Sequence, residues 1–113
     1  MNQKLISTIG LCARAGGLVF GTPMVCEALR KGSGVLAVLE ASDTSPNTHE
    51  KLQNKCAFYG VPLYRLDIDT VTLGRCIGKT GAVAAVGVTH AGLMTAIEKH
   101  LCSQDAVTDT DEK

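Results

Sequence analysis

The chain has 113 residues, 45% of them hydrophobic and only 4% aromatic, with 11 basic and 11 acidic side chains. That length suits one domain with a single core built from Val, Leu, Ile and Ala, and it needs no metal or disulfide staple. No run approaches ~20 apolar residues, and no continuous apolar stretch follows the N-terminal Lys, so no membrane span or secretory leader is expected, and a cytoplasmic protein is.

Asn2 to Ala15 reads as a helix, because Leu5, Ile9 and Cys12, with Ile6 and Ala13 beside them, form an apolar stripe at helical spacing. Gly16-Gly17 ends it, and Leu18-Val19-Phe20 is a short strand. Gly21-Thr22-Pro23 opens a second helix, with Thr22 as the expected N-cap and Pro23 at the first helical position. Val25, Ala28 and Leu29 give that helix its buried face, and Gly32-Ser33-Gly34 closes it. Val35 to Leu39 is a continuous apolar run, too short for a helix and suited to a strand buried on both faces.

Ser45-Pro46 starts a third helix, again cap then proline, with Leu52, Cys56 and Tyr59 on one face. Gly60-Val61-Pro62 turns the chain into a strand, Leu63 to Leu66. Asp69 or Thr70 caps a short helix that runs through Ile77, and residues 78–81 form a loop. Ala82 to Val88 is a second buried strand. Thr89 is the expected cap of a last helix whose Leu93, Ile97 and Leu101 face inward.

Strands that alternate with helices, two of them apolar throughout, imply a sheet covered on both sides. The expected fold is a single-domain three-layer α/β/α sandwich with a mixed sheet over residues 1–103, followed by an acidic, disordered tail at 104–113. The tail holds Asp105, Asp109, Asp111 and Glu112 against Lys113 alone. The remaining 103 residues therefore carry ten basic and seven acidic side chains, a net of +3. A mildly basic domain permits nucleic-acid binding without demanding it.

Catalytic chemistry finds little support. Gly74-Arg75-Cys76-Ile77-Gly78-Lys79-Thr80 looks like the end of a phosphate-binding P-loop, but three residues rather than four separate its glycines. It also follows a helix and precedes a strand, the reverse of what the P-loop needs. His49, His90 and His100 have no nucleophile partner in sequence and are read as solvated surface residues. Asp67 and Asp69 are spaced as neighbours on a strand face, and one of them is expected to cap a helix. Five scattered cysteines, without a CxxC pair or a Cys-His cluster, are read as small apolar residues of a reduced protein. No enzyme, metal or cofactor is expected.

Three runs carry a resemblance: Ser42-Asp43-Thr44-Ser45-Pro46-Asn47-Thr48, Lys55-Cys56-Ala57-Phe58-Tyr59-Gly60-Val61-Pro62, and Leu73-Gly74-Arg75-Cys76-Ile77-Gly78-Lys79. Their order and spacing resemble the kink-turn-binding family of ribosomal proteins, most closely its small bacterial YlxQ-like branch. The resemblance spans residues 5 to about 100. It implies the same α/β/α fold and a non-enzymatic, ribosome- or translation-associated protein that binds structured RNA, a kink-turn or ribosomal RNA. Ribosomal proteins are further expected partners, and a monomer the expected state.

The resemblance also implies two contact regions. The first is the turn into the second helix, Gly21, Thr22, Pro23 and Met24, with Glu27 one turn on. The second is Arg75 with the loop Lys79, Thr80, Gly81 and Ala82, whose apolar part in relatives packs on extruded nucleotides. Departures from the family pattern fall mainly in the first region; in the second, Thr80-Gly81 replaces a position that is often charged in the family. Pro23 and Met24 stand where the family carries a base-reading Asn-Glu pair, and Glu27 stands where it carries Lys. Gly17 stands where many relatives have a lysine. A protein-interaction module that kept the scaffold and lost specific RNA readout is the alternative these departures favour. Arg14, Arg30, Lys31, Lys51 and Lys55 extend the basic surface in either case.

Overall fold

The protein, seen in a computed structural model, is described over residues 3–32 and 34–105, with side chains described to Lys99 in the last helix. Its elements run α1 (Gln3–Arg14), β1 (Leu18–Phe20), α2 (Thr22–Lys31), β2 (Ala37–Glu40), α3 (Pro46–Tyr59), β3 (Leu63–Arg65), α4 (Thr70–Cys76), β4 (Ala85–Val88) and α5 (Ala91–Asp105). The four strands form one mixed sheet in the order β1-β4-β2-β3. β4 pairs antiparallel with both β1 and β2, whereas β2 and β3 are parallel and joined through α3.

The sheet is covered on both faces, as the apolar strands require. Ala37, Leu39, Val86 and Val88 pack with Leu5, Ile9 and Cys12 of α1, Leu73 of α4 and Met94 and Ile97 of α5. Val38 and Ala85, one step out of phase, pack on the other face with Val25 and Leu29 of α2 and Leu52 and Cys56 of α3. This is the period-2 alternation of a strand read into two separate cores. Each fully buried Leu, Ile or Val contributes ~1.5–3 kcal/mol, which is why a three-layer arrangement holds a sheet of such short strands.

The local signals mostly act where their residues stand. Ser45 caps α3 by accepting the Thr48 N–H at 3.2 Å, with Pro46 at the first position. Asp69, rather than Thr70, caps α4 by accepting the Thr72 N–H at 2.7 Å. Two expected caps shift by one residue. Gly21, not Thr22, is the N-cap of α2. At α5 the cap is supplied by His90, whose Nδ1 accepts the Leu93 N–H at 3.1 Å and whose carbonyl accepts the Met94 N–H at 2.9 Å, so Thr89 does not serve.

Strand β2 begins two residues later than expected and takes in Glu40, which is wholly buried. β4 begins at Ala85 rather than Ala82, because residues 82–84 belong to the loop that precedes it. α5 runs to Asp105, two residues past the expected domain end, and residues 106–113 of the expected tail lie outside the described residues. Leu101 likewise lies outside the described side chains.

Candidate nucleic-acid interface

β1, β2 and β3 point the same way, and β4 runs against them. The C-terminal ends of three strands, the start of β4 and the N-termini of α2 and α3 therefore share one edge of the molecule. In open α/β sheets that edge is where ligands meet free backbone groups. Both regions singled out in the sequence lie there.

The first is the β1–α2 turn. Gly21 has φ 86° and ψ 149°, a conformation closed to L side chains. Its N–H donates to the Ala85 carbonyl at 2.9 Å, and its own carbonyl accepts the Val25 N–H at 2.9 Å. The turn is thus tied to the sheet and the helix at once. Glycine offers no capping side chain, and Pro23 has no N–H. The first-turn N–H groups therefore have no side-chain cap at the positive end of the helix dipole. Pro23 is exposed, and Met24 is 58% exposed.

Glu27 does not face a ligand unaccompanied. Its carboxylate accepts from Arg30 through Nε at 3.3 Å and the terminal nitrogen at 2.6 Å, and lies 3.4 Å from Lys31 Nζ. The hydrogen bond from Arg30 holds the Glu27 carboxyl below its ordinary value, with the charges of both cations assisting. The patch therefore nets one positive charge, but spread over three paired side chains.

The second region is the loop between α4 and β4. Val71, Arg75, Lys79, Thr80, Gly81 and Ala82 line a cavity of about 370 Å³. The loop is anchored to α4 at both ends: the Lys79 N–H donates to the Gly74 carbonyl at 2.8 Å, and the Val83 N–H to the Thr70 carbonyl at 3.0 Å. Gly74 makes the anchoring possible, since a Cβ there would stand 2.0 Å from the Gly81 carbonyl oxygen. α4 is in turn pinned by Asp43, which accepts from the Thr70 N–H at 2.7 Å and its hydroxyl at 3.2 Å. Asp69 is held below the usual carboxyl range chiefly by the Thr72 N–H, with a smaller part from the Arg75 charge.

The two regions meet through a residue that periodicity did not single out. Lys79 Nζ sits 4.7 Å from the centroid of the Phe20 ring, and Phe20 is the residue before Gly21. Among the described residues no carboxylate lies within ion-pair distance of Lys79. Of the positions the sequence singled out, then, Lys79 reaches the strand end that precedes Gly21, whereas the Glu27 carboxylate is turned toward its own helix.

One further arrangement at this edge corrects the sequence reading, and a second lies at the opposite edge, where β4 ends and β1 begins. His49 is not a free surface histidine: its Nδ1 lies 2.8 and 3.0 Å from the two carboxylate oxygens of buried Glu40, which also accepts from the Thr44 hydroxyl. His90, at the opposite edge, is exposed as expected but also caps α5, and its Cβ would lie 2.7 Å from any Cβ on Gly17. His100 lies outside the described side chains. A charge ending an apolar run was the one available signal for Glu40, and the sequence alone did not separate it from a strand end at solvent. No cluster of three metal-ligating side chains occurs among the described residues, and none of their helices is long and apolar enough to cross a membrane.

Residues 3–98 match the profile of the family described as "Ribosomal protein L7Ae/L30e/S12e/Gadd45 family". The chain is 38% identical over 84 residues to the RNA-binding protein YlxQ of Bacillus subtilis (strain 168), a span of 74% of this chain and 81% of the relative. It is 32% identical over 84 residues to the RNA-binding protein YlxQ of Enterococcus faecium, covering 74% and 80% respectively. A solved structure described as a protein with unknown function from Bacillus halodurans C superposes with a TM-score of 0.79 at 33% identity, over 88% of this chain and 98% of that one. The Giardia lamblia 15.5kD RNA binding protein shares the fold, with a TM-score of 0.73 at 18% identity over 96% of this chain and 93% of its own.

Proposed function

The chain belongs to the ribosomal protein L7Ae/L30e/S12e/Gadd45 family, in its YlxQ-like branch, and from that membership and the geometry of its sheet edge we propose that it binds structured RNA, without catalysis, at a sharply kinked helix–internal-loop–helix. The observation that carries this reading is the union of the two regions at one edge, with an uncompensated Lys79 cation between them. Gly21 lets the RNA backbone approach the first turn of α2, where the Thr22 and Met24 N–H groups meet phosphate oxygens. Arg75 and Lys79 hold phosphate on the other side, and Thr80-Gly81-Ala82 offers a small, exposed surface for an unstacked nucleotide.

Base-edge readout is weak in this arrangement. Pro23 and Met24 present no side-chain donor or acceptor equivalent to an Asn-Glu pair, and each lost bidentate contact removes ~1–3 kcal/mol of base discrimination. Affinity then rests on phosphate and shape. The test is a comparison of a kink-turn oligonucleotide, the same oligonucleotide with its internal-loop purine pairs exchanged, and a continuous duplex of equal length. Preference for both kinked forms over the duplex, with little difference between them, is the expected result. Equal binding to all three contradicts the reading of a kink.

A protein partner is the second reading, favoured by the exposure of Met24 at 58% and Phe58 at 81%. It predicts tight binding that survives ~0.5 M salt, where phosphate-driven binding is largely lost.

A further inference from the structure

A lysine that awaits a phosphate has to be held without being neutralised. Its four-carbon stem loses rotamer freedom on binding, so a side chain already confined to the productive region binds better. A carboxylate would confine it but cancel its charge, as Glu27 does for Arg30 and Lys31. An aromatic face attracts the ammonium through its quadrupole and leaves the net charge intact.

Phe20 supplies such a face. It is the last residue of β1, paired with Val86 of β4, and its side chain packs against the core on the α1 side of the sheet. The ring is therefore fixed by packing. Lys79 is fixed at its other end by the bond from its N–H to the Gly74 carbonyl. With Nζ at 4.7 Å from the ring centroid, the cation is held over the residue that precedes Gly21.

We propose that Phe20 is a positioning residue for RNA binding: its ring holds the charged Lys79 ammonium, without neutralising it, at the sheet edge where β1 ends, so that the cation is placed in advance for a phosphate. This rests on the RNA-binding reading. Phe20 itself touches no RNA in this arrangement, and its effect passes through Lys79.

The test is a double-mutant cycle on the full chain with a kink-turn oligonucleotide, using Phe20→Leu, Lys79→Ala and the pair. Phe20→Leu is expected to weaken binding roughly three- to tenfold in the native background. In the Lys79→Ala background the same change is expected to do less than about twofold, because the group it positions is gone. Phe20→Tyr keeps the ring and keeps the affinity. NMR of the RNA-free protein provides an independent readout: the Lys79 side-chain methylene protons are shifted upfield by the ring, and the shift disappears in Phe20→Leu. Phe20→Met, similar in bulk and ringless, replaces Phe20→Leu if the latter does not fold. Equal weakening in both backgrounds, no weakening in either, or no ring shift at Lys79 overturns the proposal while wild-type binding stands. Wild-type protein that does not bind the RNA overturns the RNA reading, and this proposal with it.

Discussion

The Glu27 carboxylate closes on the Arg30 guanidinium at 2.6 Å, and the same carboxylate oxygen lies 3.4 Å from Lys31. The acidic residue that departs most from the family pattern is therefore a brake on two cations of its own helix, and in the proposed RNA complex it is a repulsive charge as well. Glu27→Gln removes the brake without adding a base. We expect it to tighten kink-turn binding at low salt and to steepen the log–log salt dependence. Glu27→Lys adds about one further released counterion, a steepening by roughly one more unit. Both pairs are exposed, so the melting temperature should fall only slightly. Unchanged affinity in both variants, with both folded, would place α2 away from the RNA and favour the protein-partner reading.

A Cβ on Gly74 would lie 2.0 Å from the Gly81 carbonyl oxygen, a backbone atom that cannot swing aside. Gly74→Ala must displace the loop or α4. Overpacking of this kind destabilises by ~1–3 kcal/mol, and the displaced loop should bind RNA more weakly even where the domain remains folded. Denaturant unfolding and RNA titration of the one variant check both effects. Wild-type binding by Gly74→Ala would remove the 78–82 loop from the interface.

Glu40 is fully buried and is satisfied by the Thr44 hydroxyl and His49 Nδ1. His49→Ala leaves the carboxylate without one of its partners, and the expected loss is about 2–3 kcal/mol in urea unfolding, reduced from a fully buried pair because water reaches the His49 side. A loss below ~0.5 kcal/mol, the range of an ordinary surface substitution, would show that Glu40 does not depend on His49.

What the sequence made legible was local or periodic. Leu5, Ile9 and Cys12 at helical spacing are all buried, and Ser45-Pro46 begins α3 with the side-chain cap expected of it. The apolar runs gave the layered fold, because a strand buried on both faces must be apolar on both. What remained hidden were long-range pairings. The contact of Phe20 with Lys79 spans the whole central part of the chain, and that of Glu40 with His49 joins a strand end to a helix start. Gly21 took the cap from Thr22 because a positive φ at that turn excludes Thr, a requirement set by the tie to Ala85 rather than by neighbours in sequence. The Glu27–Arg30 pair was visible as i,i+3 spacing, yet its meaning depended on which face of α2 points outward.

Burial pushes the Cys56 thiol up to about 11, with Cys26 and Glu40 adding to the shift, and burial raises Cys12 and Cys76 in the same direction. A thiol raised in the folded state stabilises the fold fully below its unfolded value. That contribution is lost as the pH climbs toward the folded value, here between about 9 and 11 for Cys56. Stability should therefore fall across that window, and fall less in Cys56→Ala once its lower starting stability is subtracted. Pulse alkylation of native protein near neutral pH should leave Cys12 and Cys56 unmodified, and denaturation should expose both. Rapid native labelling of Cys56 would contradict its burial.

The most direct test of the central claim is the salt dependence of kink-turn binding for the wild-type chain and for Lys79→Ala, measured side by side. If the Lys79 ammonium meets phosphate at this edge, log affinity falls linearly with log salt, and the slope becomes shallower by roughly one unit when the charge is removed. Parallel lines for the two proteins would contradict the account, since they would mean that the Lys79 ammonium at the joined edge touches no phosphate.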